Sequence, residues 1–306
     1  MKAKKMTTSP SDPAAAFDEL AALMKECRAA IDAELDRILP PADAAPAVIH
    51  QAMRHAVFAG GKRLRPMLVL MTCEMCGGDS ARAMPAACAL EMIHTYSLIH
   101  DDLPAMDDDD FRRGNPTCHK AFGEAMAILA GDALLTHAFG LLANERANSP
   151  ALIAEIAAAA GTQGMIGGQV TDINSEDLPP DADLVKFIHE RKTAALIRQA
   201  ARTGAIIACA GPHDLADVSD YGRKIGLAYQ VVDDILDIEG TTEQLGKTAG
   251  KDAESGKQTY PAVFGLEASH RKAEELTEQA RRDLVPFGNK ARHLCSLAEF
   301  IAARKS

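Results

Sequence analysis

Long stretches of helical periodicity alternate along this chain with short Gly- and Pro-rich breaks. Residues 1–13 are polar, and Pro10, Ser11, Asp12 and Pro13 discourage regular structure, so a flexible arm is expected there. From Ala14 to Ile38 the apolar residues Phe17, Leu20, Met24, Cys27, Ile31, Leu35 and Ile38 recur every three or four positions, which lines one face of a helix. Pro40-Pro41 ends it. The same pattern predicts helices near 46–58, 66–77, 85–102, 120–147, 150–171, 182–209, 213–238, 257–268 and 289–304. Pro46, Pro66, Pro85 and Pro150 fall at or near proposed helix starts, where proline is tolerated. Gly60-Gly61, Gly77-Gly78, Pro104, Gly114-Asn115-Pro116, Asn148-Ser149-Pro150 and Pro179-Pro180 mark the breaks. No strand alternation of useful length and no internal repeat is present. The pattern predicts an all-α fold, one domain over residues 14–306, built as a bundle of about ten helices.

Composition supports this. Apolar residues make up 47% of the 306, aromatic content is 4% and there is no Trp, a balance that favours helices over sheets. A net charge of −10 argues against a nucleic-acid partner. No apolar run is expected to span a bilayer, and the N-terminal lysines precede no signal-peptide core. Seven scattered cysteines suggest reduced thiols and a cytoplasmic protein. Cys73 and Cys76 form a lone Cys-x-x-Cys, which reads as a redox pair, half a zinc site or simply core; no second pair at ligand spacing accompanies it.

The charged positions change the picture. Asp101-Asp102 and Asp107-Asp108-Asp109-Asp110 form one acidic cluster, and Asp233-Asp234-Ile235-Leu236-Asp237 forms another roughly 130 residues on. Carboxylates crowded in this way oppose folding unless positive charge lies between them. Hard oxygen ligands in such numbers suit Mg²⁺, which keeps several waters and bridges to a substrate phosphate. Asp233 and Asp237 share one helical face with Asp234 beside them, among Val231, Val232, Ile235, Leu236 and Ile238. An ordinary solvated stripe would carry compensating Lys or Arg, and this one has none. Asp101 and Asp102 lie where Pro104 forces the chain to turn, at a helix C-terminus whose dipole they oppose. On its own this run also reads as a solvated acidic loop. Gly60-Gly61-Lys62-Arg63-Leu64-Arg65-Pro66 and Gly246-Lys247-Thr248 are basic turns without the spacing or strand context of a P-loop.

In order along the chain, these pieces resemble the trans-isoprenyl diphosphate synthases. The resemblance runs from Gly60 to Pro261. It includes Gly60-Gly61-Lys62-Arg63-Leu64-Arg65-Pro66, Asp101-Asp102-x-x-x-x-Asp107, Arg112-Arg113-Gly114, Gly168-Gln169-x-x-Asp172, Lys192-Thr193, Gln230-x-x-Asp233-Asp234-x-x-Asp237, Gly246-Lys247 and Lys257. The four-residue spacer of the first aspartate motif and the run from His94 to Asp102 are most similar to the bacterial farnesyl diphosphate synthase type. The resemblance implies a helical bundle around a central active-site cavity. It implies Mg²⁺, three ions per active site, held by Asp101, Asp102 and Asp107 from one wall and by Asp233, with Asp234 and Asp237, from the other. Arg112, Lys192, Lys247 and Lys257 would grip an allylic diphosphate, and Lys62, Arg65, His94 and Arg113 would hold isopentenyl diphosphate. His94 read without the resemblance is a core histidine. Lys192, Thr193 and Gln230 would carry catalysis, Thr193 and Gln230 lining the space where the allylic cation forms, and Arg304-Lys305 would help close the site. A homodimer without membrane insertion is also implied.

The implied reaction is ionisation of dimethylallyl or geranyl diphosphate, attack by isopentenyl diphosphate, and loss of a proton. Mg²⁺ and Lys/Arg neutralise the departing diphosphate, and apolar helices exclude water that would quench the cation. In the resembling family a bulky residue five before the first motif acts as a floor; here it is Tyr96, which favours farnesyl diphosphate, C15, as product. Five residues of helix rise about 7.5 Å without returning to the same face, so Tyr96 also reads as a core aromatic. The alternatives are a geranylgeranyl diphosphate synthase, a class I terpene cyclase and a non-catalytic partner subunit. The absence of Trp leaves a cyclase few aromatic faces to stabilise cations.

Overall fold

The computed structural model describes residues 13–144, 150–240 and 256–304, and these are predominantly helical. Residues 1–12, Lys247 with its flanking Gly246 and Thr248, and Lys305 lie outside the described residues. In chain order the helices are α1 (Pro13–Ile38), α2 (Ala47–Phe58), α3 (Leu64–Met75), α4 (Ser80–Asp101), α5 (Cys118–Phe122), α6 (Glu124–Asn144), α7 (Pro150–Ala160), α8 (Met165–Asn174), α9 (Ala182–Ile188), α10 (Ala195–Ile207), α11 (Pro212–Glu239), α12 (Tyr260–Phe264), α13 (Leu266–Asp283) and α14 (Arg292–Ala303). A π-helical turn, His189–Ala194, joins α9 to α10, and a 3₁₀ segment, Val285–Ala291, precedes α14.

Helix α3 is the centre of the bundle. It is buried nearly all round, from Arg65 through Thr72 to Met75, and an element apolar on every side belongs inside a core. It packs between α4 and α10, α10 packs on α11, and α4 continues onto α6. The α3–α10 approach is close because Gly204 carries no side chain. A Cβ there would lie 2.8 Å from the Cys73 backbone nitrogen. Thr72 Oγ1 donates to Ala201 O across the same seam, 2.9 Å away.

Several expected boundaries move, each for a local reason. Helix α4 begins at Ser80 rather than near residue 85, because Asp79 caps it through Ala81 N at 2.9 Å; Pro85 therefore lies inside the helix. The stretch expected at 120–147 divides at Gly123, whose φ of +84° breaks the helix into α5 and α6. That expected at 150–171 divides at Gly161–Gly164 into α7 and α8. The stretch near 257–268 gives way to α12 and the long α13, which buries only Ser269, Ala273, Leu276, Thr277 and Ala280. So few large apolar residues left its period invisible.

A two-stranded hairpin also appears, Phe111–Arg112 against Asn115–Pro116. Arg113 and Gly114 turn it, with φ of +55° and +77°, the backbone of a two-residue I′ turn. Strands of this length show no alternation in sequence. Helix α6 departs from expectation as well: by length and composition it is apolar enough to cross a membrane, with about 33% of the relevant window buried. Cys73 and Cys76 fit the core reading, because burial pushes both thiols up to about 11. All seven cysteines are unpaired.

Candidate active site

One cavity of about 660 Å³ opens between the C-terminal end of α4, the π turn and the C-terminal half of α11. Asp101 and Asp107 line it from one side, and Asp233, Asp234 and Asp237 from another. Lys62, Arg65, His94, Arg112, Arg113, Lys192, Gln230 and Lys257 complete the walls. Residues remote in sequence are thus brought together. Asp102, Thr193 and Tyr96 are buried and do not line this space.

The acidic loop is pinned by the helix it follows. The N–H groups of Asp107 and Asp109 donate to the carbonyls of Asp101 (2.9 Å) and Asp102 (3.3 Å), supplying partners that the last turn of α4 lacks. Asp107 is thereby folded back beside Asp101. Arg112, on the hairpin, reaches Asp102 Oδ1 through Nε at 2.7 Å and a terminal nitrogen at 2.6 Å. Burial, with the neighbouring charges of Asp107 and Asp102, pushes the Asp101 carboxyl up to about 6 against the pull of Lys192. Asp107 is half-buried, and Lys257 at 3.0 Å and Lys192 hold it below the usual carboxylate range against that burial.

The cationic wall depends on small residues. Gly60 and Gly61 hold φ of +102° and +128°. A Cβ on Gly61 would stand 2.9 Å from Arg113 Cζ, so the Arg113 guanidinium lies over a bare backbone and bonds to Gly60 O. Arg65 is nine-tenths buried. Burial, followed by the charges of Arg65 and Arg113, drives the imidazole of His94 well below its ordinary range, so it faces the cavity neutral.

The π turn carries Lys192 and Thr193. Gly168 of α8 packs directly on it, for a Cβ there would lie 2.6 Å from Lys192 Cα, and Gly226 of α11 meets Ala194 Cα just as closely, at 2.6 Å. Lys192 Nζ bonds Asp172 at 2.6 Å. Burial would lower this ammonium, but Asp172, Asp101 and Asp107 together keep it above its ordinary value. Thr193 Oγ1 donates to Gln230 Oε1 at 2.6 Å, and Gln230 Nε2 donates to Asp234 Oδ1 at 2.9 Å. Asp234 Oδ2 accepts from Tyr260 N at 2.7 Å and meets His189 Nε2 at 3.1 Å. Arg304, which follows α14, bonds Asp233 and the Tyr229 carbonyl, the latter at 2.9 Å.

Sequence reasoning gave Asp172 no role beyond its place in a motif, and it passed over His189 and Tyr260. An isolated His or Tyr on a helical pattern gives no signal until the fold places it beside Asp234.

Hard carboxylate oxygens from two walls, with Lys and Arg between, form a donor set suited to Mg²⁺ and a diphosphate. The comparisons agree. The family model described as polyprenyl synthetase matches residues 46–286. Geranylgeranyl pyrophosphate synthase 12, chloroplastic, of Arabidopsis thaliana is 49% identical over 301 residues, 94% of this chain and 82% of that protein. The crystal structure of an FPP/GFPP synthase from Zymomonas mobilis superposes with a TM-score of 0.83 at 36% identity, covering 94% of this chain and 100% of that one. Geranylgeranyl pyrophosphate synthetase from Pyrococcus horikoshii gives a TM-score of 0.85 at 32% identity, over 94% and 99% of the respective chains. This chain belongs to the polyprenyl synthetase family, the trans-isoprenyl diphosphate synthases. The expected cytoplasmic location is corrected, since the Arabidopsis relatives matched along almost the whole chain are chloroplastic. Scattered cysteines suit any reducing compartment and do not say which one provides it.

Proposed function

We propose that this chain condenses isopentenyl diphosphate head-to-tail with allylic diphosphates and releases geranylgeranyl diphosphate, C20. The observation that carries the reading is the meeting of both aspartate clusters and the Lys/Arg wall around one cavity. Asp101 and Asp107 with Asp233, and Asp237 beside it, would hold Mg²⁺, which when bound neutralises charge on a departing diphosphate; Asp102, expected among these ligands, instead bonds Arg112 away from the cavity. Arg112, Lys192 and Lys257 would grip that diphosphate, with Lys247 as a further cation. Lys62, Arg65, Arg113 and neutral His94 would hold the isopentenyl diphosphate opposite. Lys192 and Gln230 would face the allylic carbon as its bond breaks, with Thr193 bonded to the Gln230 amide oxygen; oxygen lone pairs there stabilise positive charge.

We favour C20 over the expected C15 product; what supports it is that relatives matched over most of the chain are named as geranylgeranyl diphosphate synthases. Tyr96 would then be a stop that only a C20 chain reaches. A homodimer completes the proposal, supported by the exposed apolar Ile128 and Leu129 on α6; sedimentation of the purified chain tests it.

The main test is a product assay with Mg²⁺, isopentenyl diphosphate and, separately, dimethylallyl, geranyl and farnesyl diphosphate. All three allylic substrates should converge on C20. Arrest at C15 would restore the farnesyl reading, and no condensation would remove both.

A further inference from the structure

The chain His189–Asp234–Gln230–Thr193, buried except at Gln230, has a polarity that can be read link by link. Its anchor is the N–H of Tyr260, a backbone donor that cannot reverse, which bonds Asp234 Oδ2 at 2.7 Å. The other carboxylate oxygen takes the Gln230 amide nitrogen at 2.9 Å. A carboxylate accepts only, so the Gln230 NH₂ must face Asp234 and its oxygen must face away. That oxygen meets Thr193 Oγ1 at 2.6 Å, which obliges the Thr193 hydroxyl to spend its one hydrogen on Gln230. Where Thr193 meets the Gln230 oxygen, the junction therefore offers oxygen lone pairs, with the single Thr193 hydrogen already spent. It lies beside Lys192, where Gln230 lines the cavity. His189 Nε2, 3.1 Å from Asp234 Oδ2, supplies the last donor, and its ring stacks on Tyr260 at 6.3 Å between centroids.

We infer that Asp234 and His189 are positioning residues. They set the direction of the Gln230 and Thr193 hydrogen bonds so that the oxygen end of the Gln230 amide, and not its NH₂, is the end turned towards Thr193 and available to the allylic cation. Asp234 is 3% exposed and already receives these donors, which sets it apart from Asp233 in the same motif, whose side chain is 44% exposed. The inference rests on the prenyl-transfer reading proposed above.

The test is Asp234→Asn. Tyr260 N–H still demands an acceptor, so the new amide must turn its oxygen to Tyr260 and its NH₂ to Gln230. Gln230 then flips, its NH₂ replaces its oxygen at Thr193, and the Thr193 hydrogen loses its acceptor. We expect kcat to fall roughly 10- to 100-fold, the scale of one misdirected hydrogen bond. KM for both substrates, and Mn²⁺ affinity followed by electron paramagnetic resonance, should stay within about twofold of wild type, a limit well below that effect. His189→Leu should act in the same direction, and His189→Gln, which keeps a donor, should recover most of the lost kcat. Unchanged kcat in Asp234→Asn and His189→Leu would overturn the inference. So would Mn²⁺ affinity falling in step with kcat, which would make Asp234 a metal ligand. If Asp234→Asn does not fold, the His189 pair decides the matter by the presence or absence of rescue. Failure of wild-type enzyme to form any prenyl product would instead remove the underlying reading.

Discussion

Arg304 stacks its guanidinium 3.9 Å over the ring of Tyr229 while bonding the carboxylate of Asp233, the most exposed end of the second aspartate motif. The Arg304 side chain is 3% exposed, so this is a seated cation rather than a stray surface charge. It occupies a carboxylate that the proposed Mg²⁺ site would use. Arg304→Ala should therefore tighten Mn²⁺ binding in the absence of substrate, on the order of three- to tenfold, as one charge-assisted bond no longer competes. Electron paramagnetic resonance titration measures this directly, and weaker or unchanged binding would mean that Arg304 does not compete.

Asp101 makes the metal-free protein less stable than it would otherwise be. Its carboxyl is pushed up to about 6 by burial, so between its unfolded value and 6 the native state binds more protons. Stability accordingly falls as pH rises through that window, and the full penalty is present at pH 7. Asp101→Asn should raise the Tm of the EDTA-treated protein by about 2 °C or more at pH 7–8. The gain should shrink below pH 6 and vanish near pH 4, which calorimetry across pH would show.

Gly168 is placed where only hydrogen fits, against the Lys192 backbone. Gly168→Ala should push the π turn away from α8, costing about 1–3 kcal/mol of stability by overpacking. Activity should fall far more than the lost folded fraction explains, because Lys192 and Thr193 move with the turn. Comparing kcat with the denaturation midpoint separates the two effects.

Arg63 and Glu91 form an ion pair at 2.9 Å with side chains 2% and 4% exposed. Glu91→Gln leaves that guanidinium buried with only the more exposed Asp32, at 2.8 Å, as its carboxylate partner. A loss of about 3–5 kcal/mol is expected from breaking such a pair, measurable by urea unfolding.

Tyr96 buries its hydroxyl without a hydrogen-bond partner among the described residues and meets His100 edge-on at 5.7 Å. Tyr96→Phe should thus stabilise the protein by about 1 kcal/mol, the scale of an unsatisfied buried polar group. Tyr96→Ala should lengthen the product beyond C20, and an unchanged product would show that the stop lies elsewhere.

The all-α fold was legible in the sequence because helix formation is local: a period of three to four residues repeats in α1, α10 and α11 whatever surrounds them. The two aspartate motifs were legible for a related reason, since like charges at such density oppose folding and advertise a cation. Helix α13 was hidden because its buried face is made of Ser, Ala and Thr more than of large apolar residues. The hairpin at Arg113-Gly114 was hidden because its strands are too short to alternate. What the tertiary structure alone decided is which charges meet. The pairings of Lys257 with Asp107, Lys192 with Asp172 and Arg304 with Asp233 join residues 150, 20 and 71 positions apart. The direction of the hydrogen bonds from Tyr260 through Asp234 to Thr193 likewise exists only once three separate elements pack together. Spacing along a chain fixes which residues share a face of one helix; it carries no information on which faces of different helices will close on the same space.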